Sequence, residues 1–275
     1  MIQTLFYWAA LGCYVLSSIA YICVITFAKE GVRKWGVLIA SAGLALHSIS
    51  LILRWQVTGH GPYISTYEIL SSNVWIAVLF FLVLQWRFKR LANIGALVMP
   101  LSFIMMGFAL MGSREIRQLP PSLRSAWLVV HILFAKLTVA AMLVAVALSI
   151  FYLLKNKKKA VGDSGFLSRL PRVELLDDYT YRLVSFGFIA LTIMIITGTI
   201  WGNYAWGSYW SWDPAQTWSL VVWLVYGVYL HGRITFRWKG SISAWYVIFA
   251  FVFAVAAFFV IPYFVKGLHS QYMVG

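Results

Sequence analysis

Apolar residues occur in eight long runs along the chain, and short polar connections separate one run from the next. Each run is roughly 20 residues long, which is the length of helix that crosses the hydrocarbon core of a bilayer. The runs occupy residues 4–28, 35–54, 68–86, 92–112, 125–154, 180–200, 215–232 and 242–264. The pattern predicts an all-α polytopic membrane protein, with about eight transmembrane helices in a single transmembrane domain over residues 1–275 and no soluble catalytic domain.

The composition agrees with a membrane protein, since 62% of the residues are hydrophobic and 11% are charged. The formal net charge of +14 comes mainly from residues in the connections, where membrane topology explains it better than nucleic-acid binding does. The connections expected on the cytoplasmic side contain Lys29, Arg33, Lys34, Arg87, Lys89, Arg90, Lys155, Lys157, Lys158, Lys159, Arg169, Arg172, Arg233, Arg237 and Lys239. The connections on the other side hold Arg54, Arg114, Arg117, Arg124 and Lys266. Both termini are therefore predicted to be extracytoplasmic, and we expect lipid, not nucleic acid, around the protein.

The first apolar run shows no feature of processing or cross-linking. It is followed by Lys29, Arg33 and Lys34 and lacks a small-residue cleavage site, so we interpret it as a retained span and not as a signal peptide. Cys13 and Cys23 are ten positions apart in this run, about 15 Å along a helix, which is too far for a disulfide. We expect both thiols to be packing residues.

One stretch differs in composition from the rest of the chain. Residues 201–218, WGNYAWGSYWSWDPAQTW, contain five tryptophans and two tyrosines between two long apolar runs. A transmembrane helix carries aromatic residues mainly at its interfaces, whereas this density predicts a flat, rigid aromatic platform for a large planar ligand. Because the stretch follows the sixth run, we expect it as a tryptophan-rich outer loop between helices six and seven.

Two histidines flank this stretch in sequence and reach the same outer face in the predicted topology. His131 lies about two turns inside the fifth run, and His269 lies just beyond the eighth. Two imidazoles that approach a planar ligand from opposite sides provide bis-histidine axial ligation of haem iron. Either histidine alone is more often an interfacial or hydrogen-bonded residue, but the tryptophans between them favour the ligand interpretation.

The other three histidines leave alternatives open. His231 ends the seventh run on the inner side, where a functional role and simple snorkelling are equally compatible with its position. His47 is near the middle of the second run, where a neutral imidazole needs a hydrogen-bond partner, and we interpret it as a supporting or packing residue. His60 precedes Gly61 and Pro62 in an outer connection, and we expect a solvent-exposed loop residue.

The tryptophan-rich stretch resembles the WWD signature of haem-handling proteins in cytochrome c biogenesis. The residues that carry this resemblance are Trp201, Gly202, Trp206, Gly207, Tyr209, Trp210, Ser211, Trp212, Asp213, Pro214 and Trp218. With the eight runs, the two outer histidines and the ending GLHS at Gly267 to Ser270, the whole chain resembles the CcsA/ResC family of the system II cytochrome c synthase. The resemblance implies that the protein binds haem b after its export from the cytoplasm. It also implies holocytochrome c synthase (haem lyase) activity, in which haem is presented for thioether attachment to the CxxCH segment of apocytochrome c.

The resemblance also implies roles for individual residues. His131 and His269 match two outer ligands of the haem iron, and His231 matches an inner histidine that receives haem on its way out. The signature residues that would hold the haem are Trp201, Trp206, Trp210, Trp212 and Trp218. Together with Asp213, the two outer histidines would then be the catalytic residues.

Partners and location follow from the same resemblance. It implies a second membrane subunit of the CcsB/ResB type, which would supply the partner ligand for His231, and it implies apocytochrome c. A thiol-reducing thioredoxin-like protein is an optional further partner. The implied location is the bacterial plasma membrane or the thylakoid membrane, with the active site on the extracytoplasmic or lumenal side.

Three details of the outer region stay open. The family commonly continues Asp-Pro with Lys-Glu, whereas this chain has Ala215 and Gln216. A contact of that charged pair with a haem propionate or with the partner would then be missing or replaced. Asp213 is compatible with orienting an imidazole and with capping a helix that begins at Pro214. We hypothesise that His269 yields to the peptide histidine because it sits on a short, exposed tail.

Three other classes of function fit parts of the sequence. A haem exporter or carrier would use the same signature without forming the thioether. A di-haem cytochrome b needs two histidines in each of two helices; His47 and His60 are thirteen positions apart, but His60 lies in a loop and no second helix carries a pair. A structural or transport bundle would leave the two outer histidines without a purpose.

Overall fold

The computed structural model describes residues 2–116, 119–158 and 165–269. Its α-helices are α1 (Ile2–Phe27), α2 (Glu30–Thr58), α3 (Thr66–Arg87), α4 (Gly95–Ala109), α5 (Ala126–Lys158), α6 (Val173–Trp206), α7 (Pro214–Thr235), α8 (Ser241–Val255) and α9 (Ile261–Phe264). A 3-10 helix, Lys89–Ile94, precedes α4, and a π-helical turn, Ala256–Val260, joins α8 to α9. These ranges contain no strand, so the prediction of an all-α fold is confirmed. Arg117, Lys159 and Ser270 lie outside the described residues.

Seven helical segments of the described chain are long and apolar enough to cross a membrane, which confirms a polytopic membrane protein. They are Ile2–Phe27, Glu30–Thr58, Thr66–Arg87, Lys89–Ala109, Ala126–Lys157, Val173–Trp206 and Ser241–Val260. The predicted seventh span corresponds to α7, which is 22 residues long but less apolar, because tryptophan, tyrosine and polar residues interrupt its aliphatic ones. An eighth crossing and the extracytoplasmic position of both termini stay predictions.

Helix α5 lies at the centre of the bundle. In its apolar window 67% of the residues are buried, against 28% for α2 and for α8. It packs most extensively against α6 and also contacts α3 and α8. Small side chains such as Ala141 and Ala145 are fully buried on α5 and let neighbouring backbones approach closely. The candidate site lies at the N-terminal end of this central helix.

Backbone caps fix the helix ends around the tryptophan-rich stretch. Helix α6 continues to Trp206 and does not end at residue 200 as predicted; it stops where Gly207 adopts a left-handed conformation with φ of 73°. Glycine lacks a Cβ and adopts this conformation without steric cost. Helix α7 begins directly after its N-cap, Asp213. Trp201 and Trp206 therefore belong to the last turns of α6, and the non-helical part of the stretch is residues 207–213.

Two charged residues that were expected in connections are built into the bundle. The fifth and sixth predicted runs leave residues 155–179, which include Asp177, as an inner connection. This connection is shorter in the structure, and Asp177 lies on α6, where it binds Arg233 at 2.8 Å. Arg54 lies within α2, and its buried guanidinium binds Glu68 at 2.9 Å. Buried charges need such partners. The loop positions predicted for Arg54 and Asp177 are therefore wrong, since each residue ties one helix to another.

Candidate functional site

His131 is held on α5 with one ring nitrogen bonded and the other available. Its Nδ1 lies 2.8 Å from the backbone carbonyl oxygen of Met194 on α6. A carbonyl can only accept, so Nδ1 carries the proton and Nε2 keeps its lone pair. The ring lies against Gly198, where an added Cβ would be 2.6 Å from Nδ1. The backbone of α6 thus fixes the tautomer and the position of an imidazole whose Nε2 can bind a metal.

His269 is oriented in a similar manner by a carboxylate. Its Nδ1 donates to Oδ2 of Asp213 at 2.7 Å, and the amide of Leu268 donates to Oδ1 of the same side chain. The side chain of His269 is 18% exposed. The expectation of an exposed tail is therefore wrong, because these two hydrogen bonds fasten the segment to the start of α7. Gly267 permits the close approach, since a Cβ there would overlap Asp213.

Asp213 satisfies both interpretations that the sequence left open. Besides His269, its Oδ2 accepts the amide of Ala215 at 3.0 Å, which is the N-cap contact of α7. Burial raises the pKa of this carboxyl, but the hydrogen bond and charge of His269, with the amides of Ala215 and Leu268, outweigh burial and lower the pKa below its ordinary value. Asp213 is therefore ionised at neutral pH, and a carboxylate in this position strengthens an imidazole that binds a metal.

Trp201 contacts both histidine rings. Its ring centroid lies 6.3 Å from that of His131 and 5.7 Å from that of His269. Trp206 lies 4.8 Å from His269, and the two indoles meet this imidazole edge to face, at 67° and 66°. The expectation of a flat platform is wrong for this part of the stretch, because the rings cross one another and form a wall around the histidine.

A cavity of about 710 Å³ lies beside this wall, and both histidines line it. Its volume is in the range of pockets that take cofactors and drug-sized ligands. Polar or charged residues of its lining include Asn73, Lys136, Gln216 and Lys266. Trp201 and Trp210 also line the cavity. The other three tryptophans of the stretch do not line it. Trp206 packs against His269, Trp212 is 68% exposed, and Trp218 packs against Phe253 on α8 at 5.9 Å.

The chain matches the family model described as cytochrome c assembly protein over residues 63–269, which include both histidines and the tryptophan-rich stretch. It is also 35% identical over 249 residues to the cytochrome c biogenesis protein CcsA of Guillardia theta, with 82% of each chain covered. This chain belongs to the CcsA family. The CcsA protein of Parasynechococcus marenigrum is 34% identical over 278 residues, which cover 92% of this chain and 90% of that relative.

A solved structure with lower sequence identity has the same architecture as this CcsA-family chain. The cytochrome c haem lyase CcmF superposes with a TM-score of 0.71 and 14% identity. The superposition covers 98% of this chain and 47% of that one. The chain thus spans about half the length of CcmF, and the likeness concerns the fold alone. It agrees with the polytopic helical fold described above.

Two further histidines of this CcsA-family chain do not line the cavity. His231 is exposed near the end of α7, with Nδ1 at 3.4 Å from Oγ1 of Thr235. His47 is fully buried, and its two ring nitrogens bond Tyr14 and Ser71 at 3.2 and 2.9 Å. These partners come from α1 and α3, so His47 is a packing residue whose hydrogen-bonding needs are met by neighbouring helices.

His60 differs from its prediction. It is 3% exposed, its Nδ1 donates to the carbonyl oxygen of Gly61 at 2.8 Å, and its ring lies 5.8 Å from that of Tyr63. The expected solvent exposure is therefore wrong, because the turn folds the imidazole back onto the protein.

Two polar residues of the lining extend the prediction from sequence. Gln216 lies where the family commonly has the glutamate of its Lys-Glu pair. Its Oε1 accepts from the amide and the hydroxyl of Ser211 at 2.9 and 3.2 Å. It therefore closes the loop before α7 without contributing a charge. Lys136 was missed, although a lysine inside the fifth apolar run is itself an unusual feature.

Proposed function

We propose that this chain binds haem b in the cavity, with His131 and His269 as ligands of the iron. The observation that carries the proposal is that each Nδ1 donates to a protein oxygen, at 2.8 Å for His131 and 2.7 Å for His269. The remaining Nε2 atoms are left for a metal, as in metal-binding histidines that have an outer hydrogen-bond partner. Largely apolar walls suit a porphyrin. Trp201 and Trp210, which line the cavity, would hold the ring, and Trp206 would support His269 from behind.

We propose further that the chain acts in cytochrome c biogenesis as part of a holocytochrome c synthase, a role that its membership of the CcsA family supports. In the reaction each cysteine thiol of CxxCH adds across one vinyl group. The S–H bond breaks, a carbon–sulfur bond forms, and the proton goes to the neighbouring vinyl carbon. The peptide supplies both nucleophiles. This chain would contribute by positioning the porphyrin and restricting water, while Asp213 orients His269.

A CcsB/ResB-type membrane subunit is the proposed partner, and His231 is the proposed point at which haem enters. His231 is exposed at the opposite end of α7 from Asp213, and its ring lies 5.6 Å from that of Phe236, so a second protein can reach it. By the positive-inside rule this end is cytoplasmic, and the cavity lies on the extracytoplasmic or lumenal side of a bacterial plasma membrane or thylakoid membrane. A thioredoxin-like protein that keeps the CxxCH thiols reduced would be a further partner.

Optical spectra of the purified full chain in detergent, titrated with haem b and reduced, test the haem site. We expect a sharp low-spin signal from the wild type and its loss or broadening in a His131→Ala/His269→Ala variant, because both axial ligands are removed. His60→Ala is a matched control, since this buried histidine also donates from Nδ1 to a carbonyl but does not line the cavity. The proposal is wrong if the wild type binds no haem with a CcsB/ResB-type partner present, or if the double variant keeps the wild-type spectrum.

A second measurement separates synthesis from transport. The chain is co-expressed with the partner and an apocytochrome c, and haem that stays attached to the cytochrome after denaturation is quantified. We expect attached haem from the wild type and none from the double histidine variant. A haem-loaded wild type that forms no thioether under these conditions would favour a haem exporter or carrier.

A further inference from the structure

Lys136 is a buried basic residue in the wall of the cavity that contains the two candidate ligands. It lies on α5, five residues after His131, which corresponds to a rise of about 7.5 Å along the helix axis towards the middle of the bundle. Its side chain is 9% exposed and contributes to the cavity lining. Intramembrane lysines are costly and usually face a functional cavity or a partner. A positive charge on Lys136 would therefore need a compensating partner at this depth.

The hydrogen-bond partners of Lys136 are neutral. Its Nζ donates to Oγ of Ser72 at 2.5 Å and to Oδ1 of Asn73 at 3.4 Å. Within the described residues no carboxylate lies at ion-pair distance from it. Glu68 acts on it electrostatically, but that carboxylate is already bound by Arg54 at 2.9 Å. An ammonium group has three donors, so one N–H remains beyond the two that Ser72 and Asn73 accept.

We propose that Lys136, with Asn73 beside it, binds a carboxylate of the ligand in the cavity; resting on the proposed function, this carboxylate is a propionate of haem. A buried ammonium with neutral neighbours gains strongly from an anion, because the low dielectric of the interior strengthens the attraction. Charge-assisted hydrogen bonds are also stronger than neutral ones. The subsite lies deeper along α5 than His131, in the wall of the same cavity.

The subsite would orient the porphyrin in the cavity. Propionates that point inwards to Lys136 leave the opposite edge, which carries vinyl groups, directed towards the end of the bundle that holds His269. This is the edge that the CxxCH thiols must reach. Lys266 also lines the cavity, but it is exposed and therefore screened by water and salt. Propionate binding at Lys136 would direct the vinyl edge outwards, whereas propionate binding at Lys266 would direct it inwards.

Binding titrations with haem b and with its dimethyl ester test the subsite in the purified full chain. Esterification caps both carboxylates, and we expect it to weaken binding to the wild type about tenfold, the loss of one charge-assisted hydrogen bond. In Lys136→Met the two ligands should bind equally, with the affinity for the ester unchanged, which also shows that the variant is folded. Detergent partitioning affects each ligand equally in every variant, so the acid-to-ester ratio isolates the contact. Lys155→Met is the matched control: Lys155 lies on the same helix with the same 9% exposure, but does not line the cavity.

Two outcomes would overturn the subsite. Either the ratio stays at its wild-type value in Lys136→Met, or it collapses in Lys266→Met instead, which would place the carboxylates at the mouth. Metal-free protoporphyrin and its dimethyl ester provide the same comparison without iron ligation. If the wild type binds protoporphyrin but shows no histidine-dependent haem spectrum, only the iron site is refuted. The ratio of the affinities for protoporphyrin and its dimethyl ester then still tests the role of Lys136. If neither porphyrin binds, both proposals fail.

Discussion

Replacing Asp213 with serine separates its two contacts, because serine can cap α7 but is too short to reach His269. Serine and aspartate are comparable N-cap residues, so the contact to the Ala215 amide, 3.0 Å in the wild type, has a substitute. Serine does not replace the other two contacts of Asp213, which accepts from Nδ1 of His269 at 2.7 Å and from the amide of Leu268. The variant should therefore keep the start of α7 and lose the orientation of the histidine.

The expected loss of haem affinity can be worked out in two ways. Removing the outer partner of a metal-binding histidine typically costs 10–100-fold in affinity, which is about 1.4–2.7 kcal/mol. A hydrogen bond to a charged group contributes about 1.5–3 kcal/mol, and the two ranges agree. We expect Asp213→Ser to bind haem b 10–100-fold more weakly, while its unfolding free energy changes by only a few tenths of a kcal/mol at the cap.

Asparagine at the same position should behave like serine in haem binding. Three donors, from His269, Ala215 and Leu268, converge on the two oxygens of Asp213. An asparagine offers one oxygen and an NH2 group, so in either orientation at least one N–H faces another donor. A carboxylate is the side-chain group that satisfies all three.

The assay is a haem titration read from the reduced low-spin spectrum, repeated with added imidazole. Imidazole should restore the low-spin signal to Asp213→Ser if the defect is a misplaced ligand and the cavity is intact. Asp178→Ser serves as a control, because that aspartate is 50% exposed and pairs with Arg182 on the surface of α6. Wild-type affinity and spectrum in Asp213→Ser would mean that Asp213 only caps the helix, and the orienting role would be refuted.

Three further predictions follow from other contacts. Gly198→Ala should abolish the low-spin haem signal, because the new Cβ would lie 2.6 Å from Nδ1 of His131. The control is Gly107→Ala on α4, where a Cβ meets nothing within 4 Å, and this variant should bind haem as the wild type does. Equal spectra from the two variants would exclude a tight fit between Gly198 and His131. Arg54→Met should reduce the unfolding free energy, measured by titration with a denaturing detergent, by about 3–5 kcal/mol, since it leaves a buried carboxylate unpaired. The exposed Arg182→Met should cost about 0–1 kcal/mol, and similar losses in both variants would contradict the buried pair. The Asp213 carboxyl has a lowered pKa in the folded protein. Its contribution to the free energy of unfolding is therefore complete above the unfolded pKa of about 3.9, and it is lost as the pH falls through the lower folded pKa. Hydrogen-exchange protection of the Leu268 amide should therefore decrease below about pH 4, and protection that persists at lower pH would show that this amide has another acceptor.

The spans could be predicted from sequence because crossing a bilayer is largely a local property of about 20 apolar residues with satisfied backbones. Prediction failed where polar or aromatic residues continue a helix. Trp201 and Trp206 were assigned to a loop by composition, but they extend α6 up to the left-handed Gly207. Arg54 was assigned to a connection by its charge, but its guanidinium forms an ion pair with Glu68 inside the bundle.

The sequence was sufficient to predict which residues belong to the candidate site, but not which of them contact one another. The sequence singled out His131, His269 and Asp213, and the structure places Asp213 against His269 across 56 positions and His131 against Met194 across 63. No periodicity encodes such pairs, since they depend on how α5, α6 and the segment after α9 pack. Lys136 is visible in the sequence as a lysine inside an apolar run, but its position in the wall of the cavity depends on helix packing and could not be predicted.

The two candidate ligands are held unequally, and this asymmetry bears on which one yields to the peptide histidine in the proposed function. His131 lies within the most buried helix, and moving it would separate α5 from α6. His269 lies on a short segment after α9, fastened to Asp213 by two hydrogen bonds and packed against two indoles. Segments with fewer packed neighbours open at lower free energy. Under the proposed function we therefore expect His269, although it is not exposed, to be the ligand that leaves and returns, because Asp213 could release the imidazole and orient it again.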